Sequence, residues 1–261
     1  MADVAAACGN LLLDVAQLTH AGGRPSNQDA LGSSYAGQLA CFVVSDGVGG
    51  LQGGEIASQT VIEAVIGSFV REAAFGPQAL HSYIENAAAE LARRQSEQQE
   101  LDGMSATVAL LLIDCASRSA LWGHVGDTRV YLFRENQVRH VTKDHSLVQQ
   151  LVDAGYCEAG QLRGHPQRST LCAALGVAGE HKAEVSAAPV LLQTGDAVLI
   201  CTDGFWEWIT EQEMEKVLES STSAEQWLAA MVAIVDRNGT LSSVAPDNYT
   251  AFTIYVEDTK Q

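Results

Sequence analysis

The chain has 261 residues, 47% of them hydrophobic, enough to bury a large core as one domain or two small ones. Lys and Arg number 15 against 32 Asp and Glu, a net charge of −17 with a pI near 4.6. Such a surface repels nucleic acid and anionic membrane, because binding either rests on cations meeting phosphates, and it attracts cations instead.

No Pro/Ser-rich linker, repeat or low-complexity block divides the sequence, so a single domain over 1–261 is expected. Cys8, Cys41, Cys115, Cys157, Cys172 and Cys201 form no C-x-x-C pair, and Cys41 and Cys201 sit inside apolar runs. They read as small buried hydrophobes in a reducing compartment, not as a disulfide or zinc framework. The N-terminus lacks the basic and apolar regions of a secretion signal: Asp3 comes early and the first Arg is Arg24. No apolar run approaches the roughly 20 residues that span a bilayer. A soluble, cytoplasmic monomer is the expectation.

Taken in order, Leu11 to Thr19 reads as a first strand. A turn-rich loop, His20 to Asp29, then carries Arg24, Asn27 and Asp29. Cys41-Phe42-Val43-Val44-Ser45 is a mostly β-favouring apolar run that Asp46-Gly47 ends, ahead of Val48-Gly49-Gly50. Its carboxylate is thereby delivered to the mouth of a sheet, where glycines let the backbone turn. Ile56 to Ala73 has helical spacing, and Pro77 opens a second helix whose apolar face runs to Leu91 before the polar stretch Arg93 to Glu100.

Gly103-Met104-Ser105 breaks the chain before a strand at Ala106 to Ile113. Ser119 to Val125, Arg129 to Phe133 and Gln137 to Val141 read as an antiparallel meander. Asp144 is placed to cap a short helix through Ala154. Gly155 to Arg168 has little periodicity and gathers Arg163, His165 and Arg168. Strands around Ala183 to Leu192 and Asp196 to Thr202, helices Glu211 to Leu218 and Ala224 to Val235, and a closing strand, Tyr249 to Val256, complete the order. Helix pairs inserted between runs of strands, without strict alternation, predict an α+β fold: antiparallel sheets covered by helices on each outer face.

Ala197 to Gly204 repeats the pattern of an apolar run ending in (Ser/Thr)-Asp-Gly. A lone Asp-Gly is most often a hairpin turn, but neither example here leads into an alternating strand. Asp46, Asp127, Asp203 and Asp247 each fall where a strand meets a turn. Clustered bare carboxylates repel unless a cation intervenes. An oxygen-only ligand set suits hard divalent ions, and no His or Cys stands in zinc-ligand spacing. Two such ions about 3.5–4 Å apart share a bridging water and grip a phosphoryl oxygen. Phosphate-ester hydrolysis is the chemistry this implies, with metal-dependent nucleotide chemistry left open. Arg24 adds a planar fork that fits phosphate oxygens.

Arg24-x-x-Asn27-Gln28-Asp29, Ser45-Asp46-Gly47-Val48-Gly49-Gly50, Gly126-Asp127-Thr128-Arg129, Thr202-Asp203-Gly204 and Asp247-Asn248 follow one another as in the metal-dependent protein phosphatases of the PP2C (PPM) family. The chain resembles that family from about Asp14 to Val256. The resemblance implies a β-sandwich flanked by helix pairs, layered α-β-β-α. It also implies hydrolysis of phosphoserine and phosphothreonine by a water bridging two Mn2+ or Mg2+ ions, without a covalent phosphoenzyme. By it, Asp46 bridges the ions, Asp203 and Asp247 hold the first, and the carbonyl of Gly47 holds the second. Asp127 with Asp203 matches a third-metal position of bacterial members. Arg24 matches the substrate-phosphate arginine, and Asp29 a group that holds metal-bound water. Gly155 to Cys172 corresponds to the mobile flap, whose Arg163, His165 and Arg168 would meet acidic or phosphorylated peptides.

The departures from the family pattern are specific. Val48 stands where eukaryotic members often carry a His thought to protonate the leaving group, although Asp-Gly-(Met/Val)-Gly-Gly is usual in bacterial ones. A metal-bound water is the first candidate for that proton and His165 the second. Gln28 replaces a frequent acid, and Ser105-Ala106-Thr107 replaces Gly-Thr-Thr, a packing change. Gln52-Gly53-Gly54 and Asp144-His145-Ser146-Leu147 are similar to stand-alone members associated with type VI secretion clusters. The expected function is a protein phosphatase opposing a bacterial Ser/Thr kinase. The alternatives are a pseudophosphatase that binds phosphopeptides, and a small-molecule phosphatase or nucleotidase. No Gly-x-x-x-x-Gly-Lys-(Ser/Thr) loop supports an ATPase.

Overall fold

The computed structural model describes residues 6–8, 11–48, 53–177, 183–242 and 245–258; Gly49, Gly50 and Gln52 of the glycine-rich loop lie outside them. Strands β1 (Ala6–Cys8), β2 (Leu11–His20), β3 (Asp29–Ala36) and β4 (Leu39–Val48) lead into helices α1 (Gly53–Arg71) and α2 (Pro77–Glu97). Next come β5 (Ser105–Ala106), β6 (Val108–Asp114), β7 (Ser119–Val125), β8 (Arg129–Arg134), β9 (Gln137–Val141) and helix α3 (Leu147–Asp153). The short β10 (Glu184–Val185) and β11 (Val190–Leu191) precede β12 (Ala197–Cys201), α4 (Asp203–Trp206), α5 (Glu211–Glu219), α6 (Ala224–Leu241) and β13 (Tyr249–Asp258).

Among the described residues, one sheet runs β1-β2-β13-β12-β8-β9 and the other β10-β7-β6-β4-β3, with β11 on β7 and β5 on β4. Every pairing is antiparallel. Both faces of each sheet are covered, which is why the central strands read as continuous apolar runs rather than as alternations. Along β4, Phe42 and Val44 point into the layer between the sheets, where they meet Phe252 and Ile200. Cys41 and Val43 point the other way, onto Val61 and Phe69 of α1 and Leu80 and Ile84 of α2. On the opposite side Leu199 and Ala251 pack under Trp227 and Met231 of α6. The result is the α-β-β-α layering expected. Pro77 sits at the start of α2, whose buried residues Leu80, Tyr83, Ile84, Ala87 and Leu91 recur every three or four positions.

Several local expectations fail for identifiable reasons. β7 and β8 do not form a meander: β7 pairs with β6 and β10, β8 with β12 and β9, and the turn between them crosses from one sheet to the other. The β8–β9 hairpin does form, with Glu135 and Asn136 at φ of 54° and 59°, the left-handed pair such a short turn needs. β4 does not stop at Asp46-Gly47; it continues to Val48 by pairing Gly47 with Ala106 and Val48 with Ser105. β3 is an additional strand, recruited by β4 despite its Gly32-Ser33-Ser34. Asp144 does not cap α3: Ser146 does, accepting the N–H of Gln149, because Asp144 is bound to Arg129. The strand around Ala183 to Leu192 is two separate two-residue pieces on β7. Cys115 is disulfide-bonded, so the reading of all cysteines as thiols fails there; spacing along a chain does not say which sulfurs the fold brings together.

Phe42 is fully buried and meets Phe252 edge-on, with ring centroids 5.5 Å apart. Phe42→Ala is expected to cost about 3–5 kcal/mol in urea denaturation. Val70→Ala, 63% exposed on α1, should stay within about 0.5 kcal/mol of the wild type. Equal midpoints for the two variants would show that the layer between the sheets is not the main core.

Candidate active site

The carboxylates gather at one end of the sandwich because strand register puts them there. In the β3–β4 ladder Asp29 lies directly opposite Asp46. The β12–β13 ladder continues past Cys201 through Thr202 N–H to the carbonyl of Thr250, 3.1 Å, which sets Asp203 beside Asp247. Gly204 allows this approach: a Cβ there would overlap the carbonyl of Asn248. Gly47 does the same on the other side: a Cβ there would overlap the carbonyl of Gly54, and its N–H bonds Gln28 O at 3.1 Å. Asp127 comes from the crossing turn after β7. Asp46, Gly47, Asp127, Asp203, Asp247 and Arg24 all line one cleft of about 300 Å³.

Hydroxyls and one amide hold this geometry. Thr107 Oγ1 accepts the N–H of Asp46 at 3.0 Å and is 2.6 Å from Thr128 Oγ1, joining β4 to the Asp127 turn. Thr202 Oγ1 donates to Asp29 Oδ2 at 2.9 Å while accepting Thr250 N–H at 3.0 Å. Asn248, 5% exposed, donates to the carbonyls of Ala21 and Ser26 and accepts the N–H of Gln28, clamping the Arg24 loop beside Asp247. Below the cleft, Arg129 forms a buried two-pronged pair with Asp144, both bonds 2.7 Å, and lies 3.5 Å over the ring of Trp206. Trp206 in turn donates Nε1–H to the carbonyl of Asp127 at 2.9 Å.

The electrostatics are those of acids crowded without enough cations. Burial first, then Asp29, Asp203, Asp127 and Asp247, push the Asp46 carboxyl well above its usual range. Burial and then Asp203 and Asp144 do the same to Asp127, against the opposing pull of Arg129. Burial raises Asp203 to about 6, with Asp247 adding to it. Burial raises Asp29 to about 7 even though hydrogen bonds from Thr202 and Thr250 oppose it. Asp29 Oδ1 is buried and accepts no hydrogen bond among the described residues. An orphaned buried oxygen, like charges facing across a ladder and an all-oxygen donor set fit hard divalent cations. The donors available to such ions are the carboxylates of Asp46, Asp127, Asp203 and Asp247 and the carbonyl of Gly47.

Arg24 stands half-exposed at the rim, with one Nη 2.7 Å from Asp247 Oδ2. The segment 155–172 contributes Ser169 and Leu171 to the cleft lining; Arg163, His165 and Arg168 are not part of that lining. Instead Arg163 bonds Glu211 at 2.6 Å and the carbonyl of Trp206 at 3.0 Å, and Arg168 pairs with Glu207 at 2.8 Å. His165 Nδ1 accepts the N–H of Gln167. Sequence reasoning missed Glu207, which burial and Asp203 raise to about 7 against the pull of Arg168. Its position four residues after Asp203, one helical turn on, was the available signal. It also missed Asn248, Thr107 and Asp144 as positioning groups.

This layered sandwich with an acid-lined cleft is that of a serine/threonine protein phosphatase. Residues 17–245 match the family described as Protein phosphatase 2C, and the chain belongs to that family. It is 30% identical to the serine/threonine phosphatase stp of Listeria welshimeri over 70% of this chain and 73% of that one. The catalytic domain of the phosphatase PstP, solved with two manganese ions, superposes with a TM-score of 0.79 at 26% identity, covering 95% of this chain and 100% of that one. PppA of Pseudomonas aeruginosa, described as a key regulatory component of its type VI secretion system, superposes at 0.73 with 26% identity over 94% and 97%.

Asp29 and Asp203 are raised from 3.8, so over the interval up to about 7 the native state holds protons that the unfolded chain has released. Their contribution to the stability of the ion-free protein therefore falls as pH climbs through that interval. Buried histidines titrate with the opposite sign, so the readout is the difference between wild type and Asp29→Asn in thermal melts. The variant should gain on the wild type as pH rises from 4 to 7, and Mn2+ should close the gap. A difference independent of pH would contradict the weakened acidity of these buried carboxyls.

Proposed function

We propose that this chain is an active Mn2+- or Mg2+-dependent phosphatase of phosphoserine and phosphothreonine in proteins. The observation that carries the reading is the convergence of Asp46, Asp127, Asp203 and Asp247 on one cleft, with the unpaired oxygen of Asp29 behind them. When bound, the ions supply an acidified bridging water and neutralise charge on the phosphoryl oxygens. Asp46, Asp203, Asp247 and the carbonyl of Gly47 would hold two such ions, and Asp127 with Asp203 would serve a third. Asp29, anchored by Thr202, orients water at the site through its free oxygen.

Arg24 binds the substrate phosphate. Apart from its contact with Asp247, its guanidinium has no side-chain partner among the described residues, and a planar fork suits a phosphoryl group. Val48 lines the cleft, and no histidine is among the described residues that do, which favours water over His165 as the source of the leaving-group proton. The 300 Å³ cleft is open and polar, suited to a phosphorylated side chain on a protein surface more than to an enclosed nucleotide. Reversal of a Ser/Thr kinase is the corresponding cellular role, and the likeness to PppA favours type VI secretion control as its setting.

Mn2+-dependent hydrolysis of p-nitrophenyl phosphate and of a phosphothreonine peptide tests this. Asp46→Asn and Asp203→Asn should each lower kcat by about 10²–10³-fold or more. Arg24→Ala should raise KM more than it lowers kcat. A wild type that binds the phosphopeptide without turnover would establish the pseudophosphatase reading instead, and preference for nucleotides over phosphopeptides the small-molecule one.

A further inference from the structure

A second group of ligating side chains lies behind the Gly126-Asp127 turn, outside the acid cleft. His124, the penultimate residue of β7, is 1% exposed. Its Nε2 is 2.7 Å from the carbonyl of Lys143, which can only accept, so Nε2 carries the proton and Nδ1 the lone pair. That Nδ1 is buried and has no hydrogen-bond partner among the described residues, a costly state for a polar atom. The ring of His145 stacks on His124 at 4.6 Å, and its Nε2 is 3.8 Å from Oε2 of Glu184. The β10–β7 register places Glu184 directly opposite His124. One ligand atom from each of these three residues lies within 4.8 Å of the other two. His124 and Glu184 line a cavity of about 260 Å³ that shares no lining residue with the acid cleft. His140, on the same cavity, contributes another buried imidazole nitrogen without a partner.

We propose that His124, His145 and Glu184 form a second cation site, selective for a borderline transition metal of the Zn2+ class. Two imidazoles and a carboxylate are a set that Zn2+ takes, with a fourth position left for water. Mg2+ and Mn2+ favour the all-oxygen set of the cleft. The Lys143 carbonyl fixes the His124 tautomer as the outer partner of a metal-bound imidazole does. Burial holds both histidines below the ordinary imidazole range, so they are neutral at pH 7. Glu184, with its side chain 59% exposed, gives an ion a way in from solvent.

The site is also tied to the catalytic end. In the ion-free state His145 Nδ1 accepts the N–H of Gly126 at 3.2 Å, which leaves the proton on Nε2, facing Glu184. Ligation through Nε2 requires that proton on Nδ1, so the long bond to Gly126 is given up when the ion binds. A bound ion therefore alters the support of the turn that carries Asp127.

The test counts zinc in protein kept in a large excess of Mg2+, which occupies the oxygen sites, after titration with Zn2+ and gel filtration. The wild type should retain one more equivalent of zinc than His124→Ala. Co2+ in its place should give visible absorption of a four-coordinate nitrogen–oxygen site, absent from His124→Ala. Glu184→Gln, on a short and exposed strand, should weaken binding at least about tenfold, and it decides the matter if His124→Ala fails to fold. Equal zinc content and equal Co2+ spectra in wild type and Glu184→Gln would overturn the proposal.

Discussion

The structure is organised around a repulsion. Asp29 and Asp46 occupy directly opposed positions in one ladder, and Asp203 and Asp247 are brought to the same cleft by another. Like charges in that arrangement oppose strand pairing, and burial raises the carboxyls further. The ladders themselves hold the acids together. The backbone bonds of β4, β12 and β13 cannot be given up locally, because these strands are buried on both faces by the three apolar layers, and β3 is held along its length by its ladder to β4. A rigid core thus carries a mouth of crowded acids, and a divalent cation held there would relieve the repulsion. Affinity for the ion and the cost of folding without it are two views of one term.

The buried pair of Arg129 and Asp144 belongs to the same economy of charge. Taking two ions out of water is costly, and such a pair is weak evidence for stability by itself. Its place explains it better. Arg129 lies between the Asp127 turn and the Trp206 ring, and its charge opposes the upward shift of Asp127. Asp144 fixes the guanidinium there with two bonds and so becomes unavailable to α3, which Ser146 caps instead. The adjacent His145 bonds the Asp127 turn through Gly126 and the segment 155–172 through Cys172 N–H at 2.7 Å. Three consecutive residues therefore connect the cleft, a helix start and the loop that ends at Cys172.

Legibility in the sequence followed the range of the interactions. Cys41 to Ser45 and Ala197 to Cys201 were readable as strands because both faces are buried and their composition says so. The acids at their ends were readable because chain-breaking glycines follow them. β3 was not, since Gly32, Ser33 and Ser34 have low strand preference and owe their conformation to β4 across the ladder. The separation of β7 from β8 was hidden too: proximity in sequence suggests pairing, while the Gly126-Asp127-Thr128 turn sends the chain to the other sheet. Arg163 and Arg168 stood out as cations in an acidic chain, but Glu211 and Glu207, which hold them, come from the segment after β12.

The two clusters of ligating groups make the limit of sequence spacing concrete. Regular spacing finds sites whose ligands share one element, such as two histidines a helical turn apart. The acids here come from four separate junctions, and they were found because each carries its own local mark, an acid beside a glycine or an asparagine at a strand end. His124, His145 and Glu184 carry no such mark. One lies inside an apolar strand, one follows a buried acid, and one begins a two-residue strand on the sheet edge. A search for zinc-ligand spacing passes over them, yet antiparallel register sets Glu184 opposite His124, and the path from β9 to α3 stacks His145 upon it. What a fold can ligate is decided by which backbones are neighbours.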